Sequence, residues 1–292
     1  MNWLINRYNK KSSKIYGWHP SWFGAHSLAG LFPPKEANEF NQQLIDNIKY
    51  FQMVHNLKVD GLVGPVTFRR LLSSRDLQKS KNYIVVDGKK VNIDWDTKID
   101  LMPKNCYKTQ RGKRRPNMIV THWDATTSAE KCKRVLQARS ISTHFCIDND
   151  GVIYQYVDTN NVAWHAGGVN KYSIGIDFSN AYYTKYNDYY VKKGFNERPV
   201  CKDSMVHGVK LKPHLGYYPV QIEAYKKLIK VLCGHYDIPL VTPSTEDGGL
   251  LTRVCRDASK GKFNGIVCHY HLTRNKIDCA GLDLKIIVDQ LH

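Results

Sequence analysis

The chain has 292 residues, and its 43 Lys and Arg outnumber its 26 Asp and Glu to give a formal net charge of +17, an excess that favours polyanionic partners such as nucleic acid or an anionic cell envelope. No apolar run reaches the ~20 residues of a membrane-spanning helix, which excludes that kind of anchor. The eight cysteines are spread along the chain with no CxxC pair, which argues against a disulfide scaffold and leaves most of them as buried thiols.

The opening "MNWLINRYNKKSSK" has only a short apolar stretch and no small-residue cleavage site, so synthesis in the cytoplasm without a signal peptide is expected. "YGWHPSWFGA" (16–25) is rich in aromatics and glycine. Its expected place is against a helical bundle. Residues 35–72 read helix, turn, helix. Phe40, Leu44, Ile48, Phe51 and Gln52 recur at three- and four-residue steps, the period of an amphipathic helix. Asp60-Gly61 then marks a turn, and Pro65 suits the first turn of the next helix. Phe51-Gln52, Asn56-Leu57, Val59-Asp60-Gly61, Val63-Gly64-Pro65 and Thr67 together resemble the motif of the three-helix peptidoglycan-binding domain. The expected boundaries are 1–75 for this domain, 76–116 for a connector and 117–292 for a second domain.

In the connector, "YIVVDGKKVNI" predicts a hairpin around Asp87-Gly88. The basic run "KTQRGKRR" (108–115) follows, read as a solvated linker or an anion-binding patch. From 117 the pattern changes. "NMIVTHW" is a buried strand, "THFCIDNDGVIYQYV" two strands around Asp150-Gly151, and "SIGIDF" another strand. Residues 182–216 read as a long loop with five tyrosines. "PVQIEAYKKLIKVLCGHY" puts Ile222, Tyr225, Leu228, Ile229 and Leu232 on one helical face, and "GIVCHYHL" is a late strand. The result is an α/β domain with a mixed central sheet flanked by helices.

His122 and His269 both lie where an apolar strand runs out, and Lys276, Asp278 and Cys279 follow His269 closely. Nitrogen, thiolate and carboxylate donors together suit zinc, which in catalytic sites keeps three protein ligands and one open position. Lys276 is placed to stabilise an oxyanion. Asp177 is placed to move a proton. The implied chemistry is amide hydrolysis.

"IVTHWDAT", the block from "STHFCIDNDGVIYQYV" through "AWHAGG" to "SIGIDF", and "CHYHLTRNKIDCAG" resemble, in order, three motifs of the zinc-dependent N-acetylmuramoyl-L-alanine amidases, the group of phage lysins and peptidoglycan recognition proteins. The resemblance implies Zn2+ and cleavage of the amide between N-acetylmuramic acid and L-alanine of the stem peptide. It carries over His122 and His269 as ligands. Asp177 falls where many members have a catalytic glutamate, one methylene longer, and Lys276 where many have a lysine. His165, Thr143 and Asn170 are expected on the substrate side, with Thr143 replacing the catalytic tyrosine of some members. His271 is expected to support the metal site or face substrate. Between the neighbours Asp278 and Cys279, the softer thiolate is expected to complete the set, with Asp278 as the alternative.

A monomeric phage-type endolysin acting at the bacterial wall is therefore expected, its partners peptidoglycan and anionic envelope polymers. The alternative is a non-catalytic peptidoglycan recognition protein. Specific nucleic-acid binding is not expected, because no such motif occurs.

Overall fold

The computed structural model describes residues 2–23, 38–79 and 82–292. Gly24 and Ala25 of the aromatic segment, and residues 35–37 of the expected helical region, lie outside them. The chain folds as two compact units. Met1–Ser80 with Asn187–Glu197 form one, and Lys81–Tyr186 with Arg198–His292 the other.

In the first unit, helices α1 (Asn2–Tyr16), α2 (Gln42–Val54) and α3 (Pro65–Lys79) surround a small core. Asn41 caps α2 by accepting from Leu44 N at 3.1 Å. The expected period holds: Leu44, Ile48 and Phe51 are at most 2% exposed, each burial stabilising the unit by roughly 1.5–3 kcal/mol. The Gln52 amide explains the motif around it. Its oxygen accepts from Gly61 N at 2.8 Å, and its nitrogen donates to Leu62 O and Asp60 Oδ1, so one side chain fixes the turn between α2 and α3. Trp18 and Phe23 are buried, Phe23 edge-on to Phe51, so the described part of the aromatic segment does pack on the helices.

The segment read as one long loop is divided. Asn187–Glu197 completes the first unit: Phe195 bridges to Leu57, Lys58 N donates to Gly194 O at 3.3 Å, and Tyr190 and Phe195 are buried. A cavity of about 160 Å³ in this unit is lined by Tyr8, Lys58, Asp60 and Thr67 together with Lys192 and Lys193 of the inserted segment.

The second unit begins earlier than the sequence suggested. The hairpin of β1 (Tyr83–Val86) and β2 (Lys89–Asn92) forms as expected, with Asp87 and Gly88 both at positive φ. The stretch expected as a connector then adds β3 (Thr97–Ile99) to the edge of a six-stranded sheet. The other strands are β4 (Met118–Trp123), β5 (Phe145–Ile147), β6 (Ile153–Gln155), β7 (Ser173–Phe178) and β8 (Gly265–Cys268), in the order β8-β4-β7-β5-β6-β3. Only β5 and β6 pair antiparallel.

Alternation along these strands sorts the two faces. Ile119, Ile174, Ile176, Phe178 and Ile266 pack with Tyr225, Leu228, Ile229 and Leu232 of α5 (Pro219–Tyr236). Helix α4 (Ala129–Ala138), capped by Ser128, supplies Ala129 and Cys132 to a cluster with Cys146 of β5 on the opposite side. That side also carries His122 and Asp177. The register aligns His122 of β4, Asp177 of β7 and Cys146 of β5 in one row across the sheet.

Candidate active site

The row ends at a cluster of metal donors. His122 stands near the C-terminal end of β4. His269 opens a 3-10 turn, His269–His271, directly after β8. Asp278 lies on the following loop. His122 Nδ1 and His269 Nδ1 are 3.0 Å apart, and Asp278 Oδ2 is 3.1 Å from the first and 3.0 Å from the second. All three residues are buried.

The late strand is shorter than expected, ending at Cys268, so both histidines fall in the turn that follows it. His271 turns away, its Nδ1 accepting from Cys268 N at 2.9 Å and its Nε2 donating to Leu251 O at 2.5 Å. The preference for Cys279 as third donor is corrected by its position. Cys279 is fully buried and belongs to the apolar core with Cys268 and Tyr270. Burial pushes its thiol well above the usual range. The two residues lie in a turn rather than an extended run, and there the carboxylate takes the polar side while the thiol enters the core.

The donor set fits a divalent cation. Burial, reinforced by His269, pushes His122 down to about 4 against the opposing carboxylate, so its ring is neutral at neutral pH. Burial acts to raise the Asp278 carboxyl, but the adjacent His122 and His269 rings outweigh it and hold the group well below its ordinary range. Two imidazoles and one carboxylate thus meet with 3.0–3.1 Å between donor atoms, near the ~3.3 Å that ~2.0 Å bonds set between ligands of a tetrahedral zinc.

His165 orients the first ligand. Its Nδ1 lies 3.0 Å from His122 Nε2, and its Nε2 lies 3.3 Å from Ser173 Oγ. The Ser173 hydroxyl donates to Val169 O at 2.9 Å. Its oxygen therefore accepts from His165 Nε2–H, His165 Nδ1 accepts from His122 Nε2–H, and the lone pair of His122 Nδ1 is left facing the cluster. Asn170, expected on the substrate side, accepts from His165 N at 3.1 Å and Ala166 N at 2.6 Å, and so shapes the loop instead. Thr143 is fully buried behind Gly175.

Asp177 is buried, and burial followed by the charge of Asp124 raises its carboxyl well above the ordinary range. Lys276 is exposed, and its positive charge acts on both His122 and Asp177. Asp124, Cys132 and Cys146 form another close group. There Asp124 accepts from Thr126, Asn180 and Ser179, burial raises the Cys146 thiol to about 12, and contact with Cys146 followed by burial raises that of Cys132, so this group belongs to the core.

Sequence reasoning missed two residues. His144 accepts from Gly175 N through Nδ1 at 3.0 Å and donates to Asn161 O through Nε2 at 3.1 Å, bracing β7 behind His165. Arg114 of the basic run is buried rather than solvated. The only signal in the sequence for either was its closeness to Pro116 or Phe145.

A buried His-His-Asp cluster near the ends of parallel strands, with a buried carboxyl in register beside it, is an arrangement that could hold a divalent cation. The chain belongs to the N-acetylmuramoyl-L-alanine amidase family, whose profile matches residues 112–278, and it is accordingly a peptidoglycan hydrolase. A second profile, the putative peptidoglycan binding domain, matches residues 27–71. Among solved structures the chain is similar to the N-acetylmuramoyl-L-alanine amidase LysC from Clostridium intestinale URNW, at 20% identity over 66% of this chain and 97% of that one, with a TM-score of 0.40. It is also similar to the catalytic domain of XlyA, at 19% identity over 68% and 100% of the two chains and a TM-score of 0.40. A mutant endolysin from Bacillus subtilis matches at 19% identity over 67% and 98%, with a TM-score of 0.39. No curated protein matches the chain.

Proposed function

We propose that this amidase is zinc-dependent and acts as a phage-type endolysin, cutting the bond between N-acetylmuramic acid and L-alanine. The observation that carries the reading is the triangle of His122 Nδ1, His269 Nδ1 and Asp278 Oδ2, with sides of 3.0–3.1 Å. These three residues would hold the ion. Zinc at such a site supplies Lewis acidity toward the amide carbonyl and lowers the pKa of water.

The chain's own groups do the rest. Asp177, buried and in register with His122, takes a proton from the attacking water and returns it to the L-alanine nitrogen as the carbon–nitrogen bond breaks. The Lys276 ammonium offsets the negative charge that develops on the carbonyl oxygen. His165 keeps His122 in one tautomer. The products are a muramic acid carboxylate and a stem peptide with a free amine.

The first unit would retain the enzyme on peptidoglycan, and the net charge of +17 would draw it to anionic envelope polymers. A non-catalytic recognition protein is the weaker reading, because the donor triangle, Asp177 and Lys276 are all retained. Digestion of purified peptidoglycan followed by mass spectrometry tests the proposal. Free stem peptides beginning with alanine, lost on chelation and restored by zinc, are expected. Reducing sugar ends without free peptides would sink it.

A further inference from the structure

We propose that Arg114 is a positioning residue for the active site, holding His165 against His122 by clamping both ends of the loop between them. The inference rests on the reading of His122 as a metal ligand.

A guanidinium group has five N–H donors, and all five of Arg114 meet backbone carbonyl oxygens. Nη1 donates to Thr159 O and Asn161 O, each at 2.9 Å. Nη2 donates to Asn170 O at 2.8 Å and to Ser173 O, and Nε to Lys171 O at 3.4 Å. These acceptors fall on two short stretches, 159–161 and 170–173, which flank His165 on either side. The second stretch contains both groups that fix His165: Asn170 Oδ1 receives its backbone N–H, and Ser173 Oγ faces its ring. A fixed planar fork can join five carbonyls in this way; a flexible ammonium cannot.

The setting points away from a surface role. Arg114 is 4% exposed, while its neighbours Lys113 and Arg115 are exposed. Burial lowers its pKa only to about 10, so the group stays cationic at neutral pH. A buried cation held by carbonyl dipoles is costly to desolvate, and here it joins the two ends of the loop that bears His165.

The test measures zinc affinity of the full-length protein by competition with a chromophoric chelator, for wild type, Arg114→Lys, His165→Ala and the double variant, with circular dichroism melts alongside. Lysine keeps the charge but has three donors. Arg114→Lys is expected to weaken zinc binding by about tenfold or more, as loss of groups supporting a ligand does. In the His165→Ala background the same change is expected to add little, because both act through one ring. Wild-type affinity in Arg114→Lys, or losses that multiply fully in the double variant, would overturn the proposal. If Arg114→Lys unfolds, Ser173→Ala carries the test, since it keeps the clamp and cuts its link to the ring. Unchanged affinity there also overturns it. A wild-type protein that takes up no zinc would overturn the metal reading itself, a separate result that removes the proposal's basis.

Discussion

Asp278 and Cys279 are neighbours in sequence that face opposite environments: Asp278 Oδ2 sits within 3.1 Å of two histidine nitrogens, while Cys279 is fully buried in the apolar core. Substitutions should separate the two roles. Asp278→Asn keeps the shape but loses the negative charge, and is expected to purify without zinc. Cys279→Ser is expected to retain zinc and to lose about 1–3 kcal/mol of stability by burying a hydroxyl among apolar groups. Elemental analysis and thermal melts on the two proteins decide the matter. Retained zinc in Asp278→Asn with loss in Cys279→Ser would return the ligand role to the thiol.

Asp177 and Lys276 should matter to turnover far more than to folding. Removing a group that stabilises the developing charge typically costs ~10²–10³ in rate, and Lys276→Ala is expected to lose activity on that scale. Asp177→Asn is expected to be at least as impaired. Both should keep zinc and their melting temperatures. Wild-type turnover in Asp177→Asn would assign the proton transfer to another group.

The Asp177 carboxyl also predicts a pH dependence in the metal-free protein. Its folded-state pKa is raised, first by burial and then by Asp124. The folded state therefore holds a proton that the unfolded chain releases near pH ~4. The resulting stability is fully present below that value and is lost as pH rises through the raised one. Denaturant titrations of metal-free wild type and Asp177→Asn across this range should show a fall in wild type and a flatter profile in the variant. Parallel profiles would mean that Asp177 is ionised in the fold.

Legibility followed the range of the interactions. "NMIVTHW" and "SIGIDF" read as strands because an apolar run is a local signal, and His122 stood out where the first of them runs out. The direction of Asp278 was not readable, since a bond from Tyr270 N to Asp278 O, 3.0 Å long, sets the loop's path. Arg114 was hidden for a related reason. A basic run has the same spelling whether solvated or buried, and its acceptors lie 45 to 59 residues away. The division of the tyrosine-rich segment was hidden further still, since Asn196 meets Leu57 across 139 residues.

That division changes what a fragment of the first unit should do. Residues 1–80 alone lack Tyr190 and Phe195, both buried in the first unit. Phe195→Ala in the full chain is expected to destabilise this unit by about 3–5 kcal/mol. Lys192→Glu with Lys193→Glu, on the cavity wall, is expected to reduce sedimentation with peptidoglycan without changing amidase activity on small soluble muropeptides. Sedimentation equal to wild type would place wall binding elsewhere.

Gly175 offers the sharpest test of how tightly the site is built. It lies at the middle of β7, where a Cβ would stand 2.6 Å from His165 Cγ and 2.8 Å from Thr143 Oγ1. Neither neighbour is the far end of a flexible chain. The His165 ring is tied at one nitrogen to His122 and at the other to Ser173, and Thr143 is fully buried. Gly175→Ala must therefore move the ring, at a cost of about 1–3 kcal/mol for overpacking. The strand itself tolerates alanine, because Gly175 is not at positive φ, so folding should survive. What should not survive is the line from His165 to His122. The expected outcome is a folded protein with weakened zinc binding and turnover reduced by at least tenfold, read by chelator competition and by release of stem peptides. Wild-type zinc affinity in Gly175→Ala would mean that the His165 ring can shift without disturbing His122, and that the close packing at this strand serves the core alone.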